Sequence, residues 1–337
     1  RRILKLKTKS NHQKMTFYTC LDEPFFIEEH VFLEIEYRGK TLRQKFYILP
    51  KVRAEKILVG RETIKMLMEE EIFVPIVTTL HGTDITLVGS HPFYRPAVTF
   101  SINKSNAVTA VSQSLKEDTL RLFDIKNNIH VVHNFIDLDR YNNTLVDCQR
   151  GIMAKENEKI ITHISNLRPV KRAQDVISIF YNIQKAIPAR LMLIGEGPDR
   201  EQIEIRCQEL GILDKVIFFG KSNEIDKILC FSDLFLLPSE TESFGLAALE
   251  AMAAWTPVIS SNAGGLSEVN IQGYSGFLSN VGDIEDMTKN ALHILSDTER
   301  LKTFKTNARN QAIKFDLRKI VPQYEAVYKE TLSKCIK

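Results

Sequence analysis

The sequence has few cysteines, and the five that it contains form no metal-binding pattern. Structural zinc sites need closely spaced cysteines, and small secreted domains need paired ones. The spacing therefore argues against both and predicts a reduced cytoplasmic protein. The cysteines are scattered, and none lies in a CxxC pair: Cys20, Cys148, Cys207, Cys230 and Cys335.

The chain also lacks a strong charge imbalance and a long apolar run. It carries 45 Lys and Arg against 42 Asp and Glu, for a formal net charge of +3. Nucleic acids and anionic membranes attract far more basic surfaces, so neither is an expected partner. No stretch of about 18 apolar residues is present, and no transmembrane helix is predicted. The basic start, RRILKLKTKSNHQK, is not followed by the apolar segment of a signal peptide.

What the sequence does contain is a regular alternation of short β-rich runs and longer helical runs from about residue 75 onward. With 337 residues, of which 44% are hydrophobic, the chain is long enough for two domains. The runs between the β-rich ones have apolar residues three and four positions apart, which predicts crossover helices between parallel strands and hence an α/β fold. The predicted strands are 73–80, 106–111, 128–134, 159–165, 189–195, 215–220, 233–238 and 256–261.

A polar stretch near 141–158 interrupts two strand-rich blocks and predicts a domain boundary. Upstream of the first block, VFLEIEYRGKTLRQKFYIL predicts a hairpin that turns at Gly39 and Lys40. The predicted organisation is an atypical segment over 1–72, the remainder of a first domain over 73–145, a second domain over 155–315 and a C-terminal helix over 316–337.

Two glutamates, Glu242 and Glu250, lie at the ends of ESFGLAALE, which follows a predicted strand and predicts a helix. Ligands of open parallel sheets bind beyond the carboxyl ends of the strands, where helix N–H groups attract phosphate. Glu250 would lie roughly 10–12 Å from Glu242 along the helix axis. This spacing fits a nucleotide sugar, with one carboxylate at the sugar and the other at the ribose. The alternative is that Glu242 is an ordinary helix N-terminal acid and Glu250 a solvated helix residue.

Three further turns follow predicted strands. In SNLRPVKR, three cations, Arg168, Lys171 and Arg172, precede a helix. The positive end of the helix dipole repels them, and a bound diphosphate would offset this repulsion. The alternative is a solvated basic turn. LIGEGPDR is an incomplete dinucleotide fingerprint, which argues against a Rossmann dehydrogenase. In TTLHGTD, His81 and Asp84 lie at the expected ligand edge of the sheet; a structural histidine is the alternative.

Together, ESFGLAALE, RPVKR, GEGPDR and NAGGLSEV resemble the motifs of retaining glycosyltransferases of family 4. The likeness extends over about 75–330. It implies the GT-B fold, in which two Rossmann-like domains face each other across the cleft that holds the site. The stretch HGTDITLVG resembles the members that transfer N-acetylglucosamine from UDP-GlcNAc to the hydroxyl of L-malate, the first step of bacillithiol biosynthesis.

The resemblance also assigns roles to individual residues. Arg168 and Lys171 would hold the diphosphate, Glu242 would contact the donor sugar, and His81 would lie beside the anomeric carbon. Thr79 and Lys104 are the expected malate contacts, Lys104 because a dicarboxylate needs cations. The other expected donor contacts are Asn134, Ser243, the backbone amides of Phe244, Gly245 and Leu246, and Glu250 at the ribose.

No metal or other cofactor is expected. Retaining transfer in this family is thought to take place on one face of the sugar, and a phosphate oxygen of UDP then accepts the proton of the attacking hydroxyl. The pair Asp137 and Asp139 resembles the metal motif of the other glycosyltransferase fold, and we interpret it as a turn.

The first 72 residues depart from the family. Members normally open with a strand and a glycine-rich loop, whereas the first glycine here is Gly39. Residue 1 is not Met, so we expect a fragment, a frameshifted product or a divergent relative with an incomplete first domain. Three interpretations remain open: the malate transferase, a family-4 transferase with another acceptor, and a nucleotide-sugar-binding relative without activity. The sequence leaves the oligomeric state open, although relatives can dimerise.

Overall fold

The computed structural model describes residues 15–18, 24–27, 29–37, 40–48, 75–141 and 150–335. The chain divides into two compact units, Arg1–Val74 and Pro75–Lys337. All of the predicted site residues belong to the second unit.

The described part of the first unit consists of antiparallel strand pairs. Strand β1 (Met15–Tyr18) pairs with β2 (Pro24–Ile27), and β3 (Glu29–Tyr37) pairs with β4 (Lys40–Ile48). The β3–β4 pair confirms the predicted hairpin. Lys40, however, is not in the turn: it is the first residue of β4 and lies opposite Tyr37. The predicted turn residue Gly39 lies outside the described residues.

The second unit begins with a three-stranded parallel sheet in the order β5-β6-β7. Its strands fall within three of the predicted ranges, and two helices connect them. The segment 75–141, which contains this sheet, is called the three-stranded half below. Its elements are β5 (Val77–Leu80), a π-helical turn (Asp84–Val88), α1 (Arg95–Lys104), β6 (Ala107–Ala110), α2 (Gln113–Leu122) and β7 (Ile129–Val131).

Residues 150–315 form the six-stranded half, whose parallel sheet has the order β10-β9-β8-β11-β12-β13. The strands are buried because their sequences are continuously apolar, as in LFLL at the centre of the sheet. They are β8 (Lys159–Ile164), β9 (Ala189–Ile194), β10 (Val216–Gly220), β11 (Leu234–Leu237), β12 (Val258–Ser261) and β13 (Gly276–Ser279).

Helices cover this second sheet and lead back to the first. In the described residues they are α3 (Ala173–Ala186), α4 (Arg200–Glu209), α5 (Ile225–Leu229), α6 (Leu246–Ala253), α7 (Leu266–Val269), α8 (Ile284–Leu295), α9 (Thr298–Ala312) and α10 (Leu317–Cys335). None of the described helices is both long and apolar enough to cross a membrane.

One hydrophobic cluster joins the two halves. It contains Leu80 and Ile85 from the three-stranded half together with Phe235, Phe244 and other buried residues of the six-stranded half. Burial of this shared apolar surface stabilises the contact between the halves, since each buried aliphatic or aromatic side chain contributes roughly 1.5–3 kcal/mol. The carboxyl ends of the strands in both sheets carry the loops that contain the predicted site.

Helix α10 crosses back to the three-stranded half. Ile320 and Val327 pack against Val132, and the Tyr324 hydroxyl donates a hydrogen bond of 3.0 Å to the Val132 carbonyl oxygen. The segments in which the chain passes from one half to the other also contact each other. The Ile136 N–H donates to the Phe315 carbonyl, and the Leu317 N–H donates to the Ile136 carbonyl, each over 3.0 Å. The three-stranded half is therefore completed by a helix from the far end of the described chain.

Candidate active site

The HGTD turn of the three-stranded half contacts the loop of the six-stranded half that contains Glu242. Gly82 has a φ of +122° and lies directly against Ser243, so that a Cβ placed on Gly82 would lie 1.6 Å from the Ser243 Oγ. The Asp84 carboxylate holds this turn, because its Oδ1 accepts hydrogen bonds from the His81 and Gly82 N–H groups over 3.2 and 2.7 Å. His81 is exposed and immediately precedes Gly82, so it lies beside the Ser243 loop.

Glu242 forms an ion pair with Lys171 across the carboxyl edge of the six-stranded sheet. The Ser239 Oγ donates a further hydrogen bond to the Glu242 Oε1 over 3.2 Å. Both partners of the ion pair are largely shielded from solvent, at 22% side-chain exposure for Lys171 and 14% for Glu242. The structure therefore joins two predicted site residues that are 71 positions apart.

The three cations of the RPVKR turn differ in their surroundings. Arg172, with a φ of +51°, uses its Nε to donate to the Asp175 Oδ2 over 2.7 Å, so it is committed to its own helix. Lys171 pairs with Glu242. Arg168 is exposed, and its guanidinium has no hydrogen-bond or ion-pair partner among the residues that the structure describes, although its carbonyl oxygen accepts from the Lys171 N–H over 2.8 Å. Of the three, Arg172 is the one that pairs with a carboxylate of its own helix.

A buried histidine that the sequence analysis did not single out supports this turn. Since the Leu236 carbonyl can only accept, the His163 Nδ1 donates to it over 2.8 Å, and the Nε2 accepts from the Ser165 hydroxyl, also over 2.8 Å. The Ser165 Oγ in turn accepts from the Leu167 N–H over 3.1 Å. The pKa of His163 is lowered to about 4, chiefly by burial; the hydrogen bond to Leu236 opposes this shift, and the nearby Lys171 charge adds to it.

Acidification should therefore destabilise the fold through His163. An unfolded histidine has a pKa near 6.5, so the stabilisation from a neutral His163 is complete above that pH and is lost as the pH falls toward about 4. At 1.36 kcal/mol per pKa unit, the expected loss of unfolding free energy is roughly 3 kcal/mol. Urea unfolding at several pH values should show this loss, and His163→Asn should have a shallower pH dependence; parallel profiles for the two chains would contradict the prediction.

The glycines of the GEGPDR turn allow close packing rather than an open phosphate loop. A Cβ on Gly195, whose φ is +120°, would lie 1.7 Å from the Ser165 carbonyl oxygen, and one on Gly197 would lie 1.9 Å from the Asn166 carbonyl oxygen. Two neighbouring strand ends are thereby packed together without side chains between them. The turn thus supports the SNLRP segment that carries Arg168.

Helix α6 begins at this site without a side-chain cap. Its N-terminal flanking residue is Gly245, at a φ of +96°, and no side chain of the described residues accepts from its first N–H groups. Phe244 is buried, with its ring 5.9 Å from that of His133 and 5.6 Å from that of Phe315. Leu246 is the first residue of the helix. The open amides and the dipole of the helix favour an anion here.

Glu250 lies further along α6 and is not a freely solvated helix residue. Burial raises the pKa of its carboxyl, with the Arg140 charge lowering it and Asp226 raising it. Arg140 itself donates to the Asn223 carbonyl over 2.9 Å and to Asp226 over 2.8 Å. Arg140, which directly follows Asp139 of the predicted turn, was not predicted as a site residue.

The other predicted residues are distributed as follows. Asn134 is half-buried and follows β7, next to His133. Thr79 lies within β5, and its Oγ1 accepts from the Thr109 hydroxyl over 2.9 Å. Lys104 is the last residue of α1, at the amino edge of the first sheet, with its Nζ 5.8 Å from the centre of the Phe100 ring. The structure does not bring Lys104 together with His81, which lies at the carboxyl edge.

The carboxylates of Asp137 and Asp139 make local and surface contacts. The Asp137 Oδ1 accepts from the Asp139 N–H over 3.1 Å, which is the hydrogen bond of a turn. The Asp139 carboxylate forms an ion pair with Arg318 on α10. These contacts agree with the interpretation of this pair as a turn.

The carboxyl-edge loops of the two parallel sheets meet at the contact of Gly82 with Ser243, which is the arrangement of the GT-B glycosyltransferase fold. Residues 67–140 match glycosyltransferase family 4, and residues 149–311 match the glycosyl transferases of group 1. The N-acetyl-alpha-D-glucosaminyl L-malate synthase of Bacillus anthracis is 42% identical over 261 residues, which cover 77% of this chain and 68% of that protein. The chain belongs to glycosyltransferase family 4.

More distant relatives and solved structures agree with this assignment. An uncharacterised glycosyltransferase of Methanocaldococcus jannaschii is 31% identical over 58% of this chain and 54% of its own length. Anabaena HepE in complex with UDP-glucose has a TM-score of 0.69 at 22% identity, covering 79% of this chain and 76% of that one. Staphylococcus aureus TarM has a TM-score of 0.67 at 16% identity, covering 97% of this chain and 79% of that one. At these identities the structures share the fold.

Proposed function

We propose that the chain transfers N-acetylglucosamine from UDP-GlcNAc to the hydroxyl of L-malate with retention of the anomeric configuration, as in the first step of bacillithiol biosynthesis. The observation that carries the proposal is the contact of Gly82 with Ser243, because these two residues are the immediate neighbours of His81 and of Glu242, which is paired with Lys171. The similarity to the Bacillus anthracis malate synthase supports the choice of donor and acceptor.

In this proposal the diphosphate binds at the start of α6. The backbone amides of Phe244, Gly245 and Leu246 would donate to it, and Arg168 and Lys171 would neutralise the charge that grows as UDP leaves. Glu250, which lies further along the same helix, would bind the ribose hydroxyls. A bound diphosphate would then share Lys171 with Glu242.

The proposed transfer takes place on one face of the sugar. The malate hydroxyl forms its bond to the anomeric carbon on the face from which the UDP oxygen departs. A phosphate oxygen of the leaving UDP accepts the hydroxyl proton, so no protein nucleophile and no metal is required. Glu242 and His81 would bind hydroxyl groups of the sugar and hold it for this attack.

The test is product formation. The purified chain is incubated with UDP-GlcNAc and L-malate in EDTA, and N-acetylglucosaminyl-malate is sought by mass spectrometry. We expect product, reduced by about tenfold to a hundredfold in Glu242→Ala because the sugar is then less well positioned. If UDP raises the melting temperature while no sugar is transferred to any acceptor, the chain is a nucleotide-sugar-binding relative without activity.

A second candidate acceptor is favoured by the extent of one structural match. The HepE structures match 79% of the chain, whereas the two TarM structures match 95% and 97% and therefore also include residues of the first unit. One of the TarM structures contains UDP and α-GlcNAc-glycerol. An acceptor with a glycerol hydroxyl is the corresponding proposal for this chain. Transfer to such an acceptor in preference to L-malate, measured side by side in the same assay, would replace malate with it.

A further inference from the structure

A carboxylate of the six-stranded half holds the amino end of a helix in the three-stranded half. Glu268 lies on α7, in the NAGGLSEV loop. Its Oε2 accepts from the Gln113 N–H over 2.8 Å, and its Oε1 accepts from the Ser114 N–H over 2.9 Å. These N–H groups belong to the first turn of α2, where the helix dipole favours a negative charge. Hydrogen bonds of this kind, with an ionised acceptor, are stronger than neutral ones.

The same loop also holds the backbone of the proposed donor site. The Gly265 N–H donates to the Glu242 carbonyl oxygen over 2.9 Å. Gly264 packs so closely on that carbonyl that a Cβ would lie 2.0 Å from its oxygen. Glu268 therefore lies only three residues after Gly265, which contacts the loop that carries Glu242 directly.

A second contact joins α2 to the loop that carries Glu242 and Ser243, which is called the donor loop below. The Ser112 Oγ donates to the Ser243 carbonyl oxygen over 2.6 Å, and it accepts from the Leu115 N–H over 3.0 Å as the N-cap of α2. Helix α2 follows β6, which pairs with β5, and β5 ends at Leu80, just before His81. The position of α2 against the donor loop thus sets the position of the strand end that carries His81.

His133 adds a third contact on the same carboxylate. Its Nε2 lies 3.2 Å from the Glu268 Oε2, and its ring lies 5.5 Å from that of Phe315. Burial alone would raise the pKa of Glu268, but the hydrogen bonds from His133, Ser114 and Gln113 outweigh burial and leave the pKa lowered. Glu268 is thus held as an anion between the two halves.

We propose that Glu268 is a positioning residue for glycosyl transfer, which fixes α2 and the His81 strand end against the donor loop. This inference rests on the proposed function, since it assumes that the Glu242 loop binds the donor. Glu268 would act on the step that needs both halves, the attack of the acceptor, and would leave UDP binding to the six-stranded half almost unaffected. If Glu268 only stabilised the fold, its removal would weaken transfer and UDP binding together.

The experiment compares Glu268→Ala and Glu268→Gln with Glu117→Gln. Glu117 is an exposed carboxylate on α2 itself that accepts from the Gln113 side chain, so it controls for charge on this helix. We expect Glu268→Ala to lower kcat/KM for the acceptor by about tenfold to a hundredfold, since small misplacements of reacting groups have effects of this size. The dissociation constant for UDP, from calorimetry, should change by less than about threefold. Amide hydrogen exchange in the peptide that contains Gln113 and Ser114 should become faster.

Three results would overturn the inference. The first is an unchanged kcat/KM in both Glu268 variants. The second is equal loss of UDP binding and turnover, which is the sign of a purely structural role. The third is unaltered exchange at the start of α2. Glu268→Gln keeps the side-chain volume and one acceptor oxygen, so it provides the measurement if Glu268→Ala does not fold. Failure of the unaltered chain to transfer sugar to any acceptor would instead overturn the proposed function, and this inference with it.

Discussion

Lys171→Met is expected to lower kcat/KM for UDP-GlcNAc by about a thousandfold. In our proposal Lys171 neutralises charge on the departing diphosphate, and removing one such preorganised group commonly reduces turnover by about 10²–10³-fold. Loss of the cation also leaves Glu242 without its ion-pair partner at a site where its side chain is only 14% exposed. Steady-state kinetics with varied UDP-GlcNAc measure the effect.

Arg172→Met is the matched control for this experiment. Arg172 is the next residue in the same turn, but its guanidinium donates to Asp175 within its own helix. We expect kcat/KM to stay within about threefold of the unaltered value, because surface ion pairs of this kind contribute little. Equal losses in the two variants would show that the turn acts through its total charge, and would count against a specific role for Lys171.

Gly82→Ala is expected to lower turnover by about a hundredfold or more. The new methyl carbon would lie 1.6 Å from the Ser243 Oγ and 2.5 Å from the Ser243 Cβ, so one of the two loops has to move. The backbone at φ +122° is also unfavourable for any residue with a side chain, at a cost of roughly 1–3 kcal/mol. A displacement of about 1 Å at a reacting group is sufficient for a loss of this size.

Two further variants test whether the clash with Ser243 is the cause. Ser243→Gly removes the atoms that the methyl group would meet, so the double variant Gly82→Ala, Ser243→Gly should recover activity relative to Gly82→Ala alone. Gly273→Ala is the control for backbone strain: Gly273 has a φ of +69° and open space around its Cα. It should lower the melting temperature without affecting turnover. If the double variant does no better than Gly82→Ala, contact between the two loops is not what limits the reaction.

The six-stranded half could be predicted closely from the sequence. Its strands are continuous apolar runs, such as LFLL at Leu234–Leu237, and their length and spacing leave few alternatives to a buried parallel sheet. The loops with Arg168 and Glu242 follow strand ends in the sequence, so their location at one edge also follows from the alternation of strands and helices. The strands and the loops at their ends could be predicted because each is determined by residues that are close together in the sequence.

The missed features depend on residues far apart in the chain. Two contacts could not be predicted, that of Lys171 with Glu242 and that of Gly82 with Ser243. To predict them, one must know how the strand ends lie relative to one another, and the periodicity of the sequence does not determine this. The role of His163 was hidden because a histidine in an apolar strand gives no sign of the carbonyl that it meets. The position of Lys104 could have been inferred: a residue at the end of a crossover helix returns to the amino edge of the sheet, away from the carboxyl edge with His81.

The return of α10 to Val132 has a consequence for the order in which the protein can form during synthesis. A ribosome releases β5, β6 and β7 before the six-stranded half, but the helix that packs with Val132 is made only after the whole six-stranded half has emerged. The three-stranded half therefore stays without this part of its core while the later residues are being added. We conclude that the six-stranded half is the first of the two that can complete its packing on the nascent chain, and that α10 closes the core around Val132 afterwards.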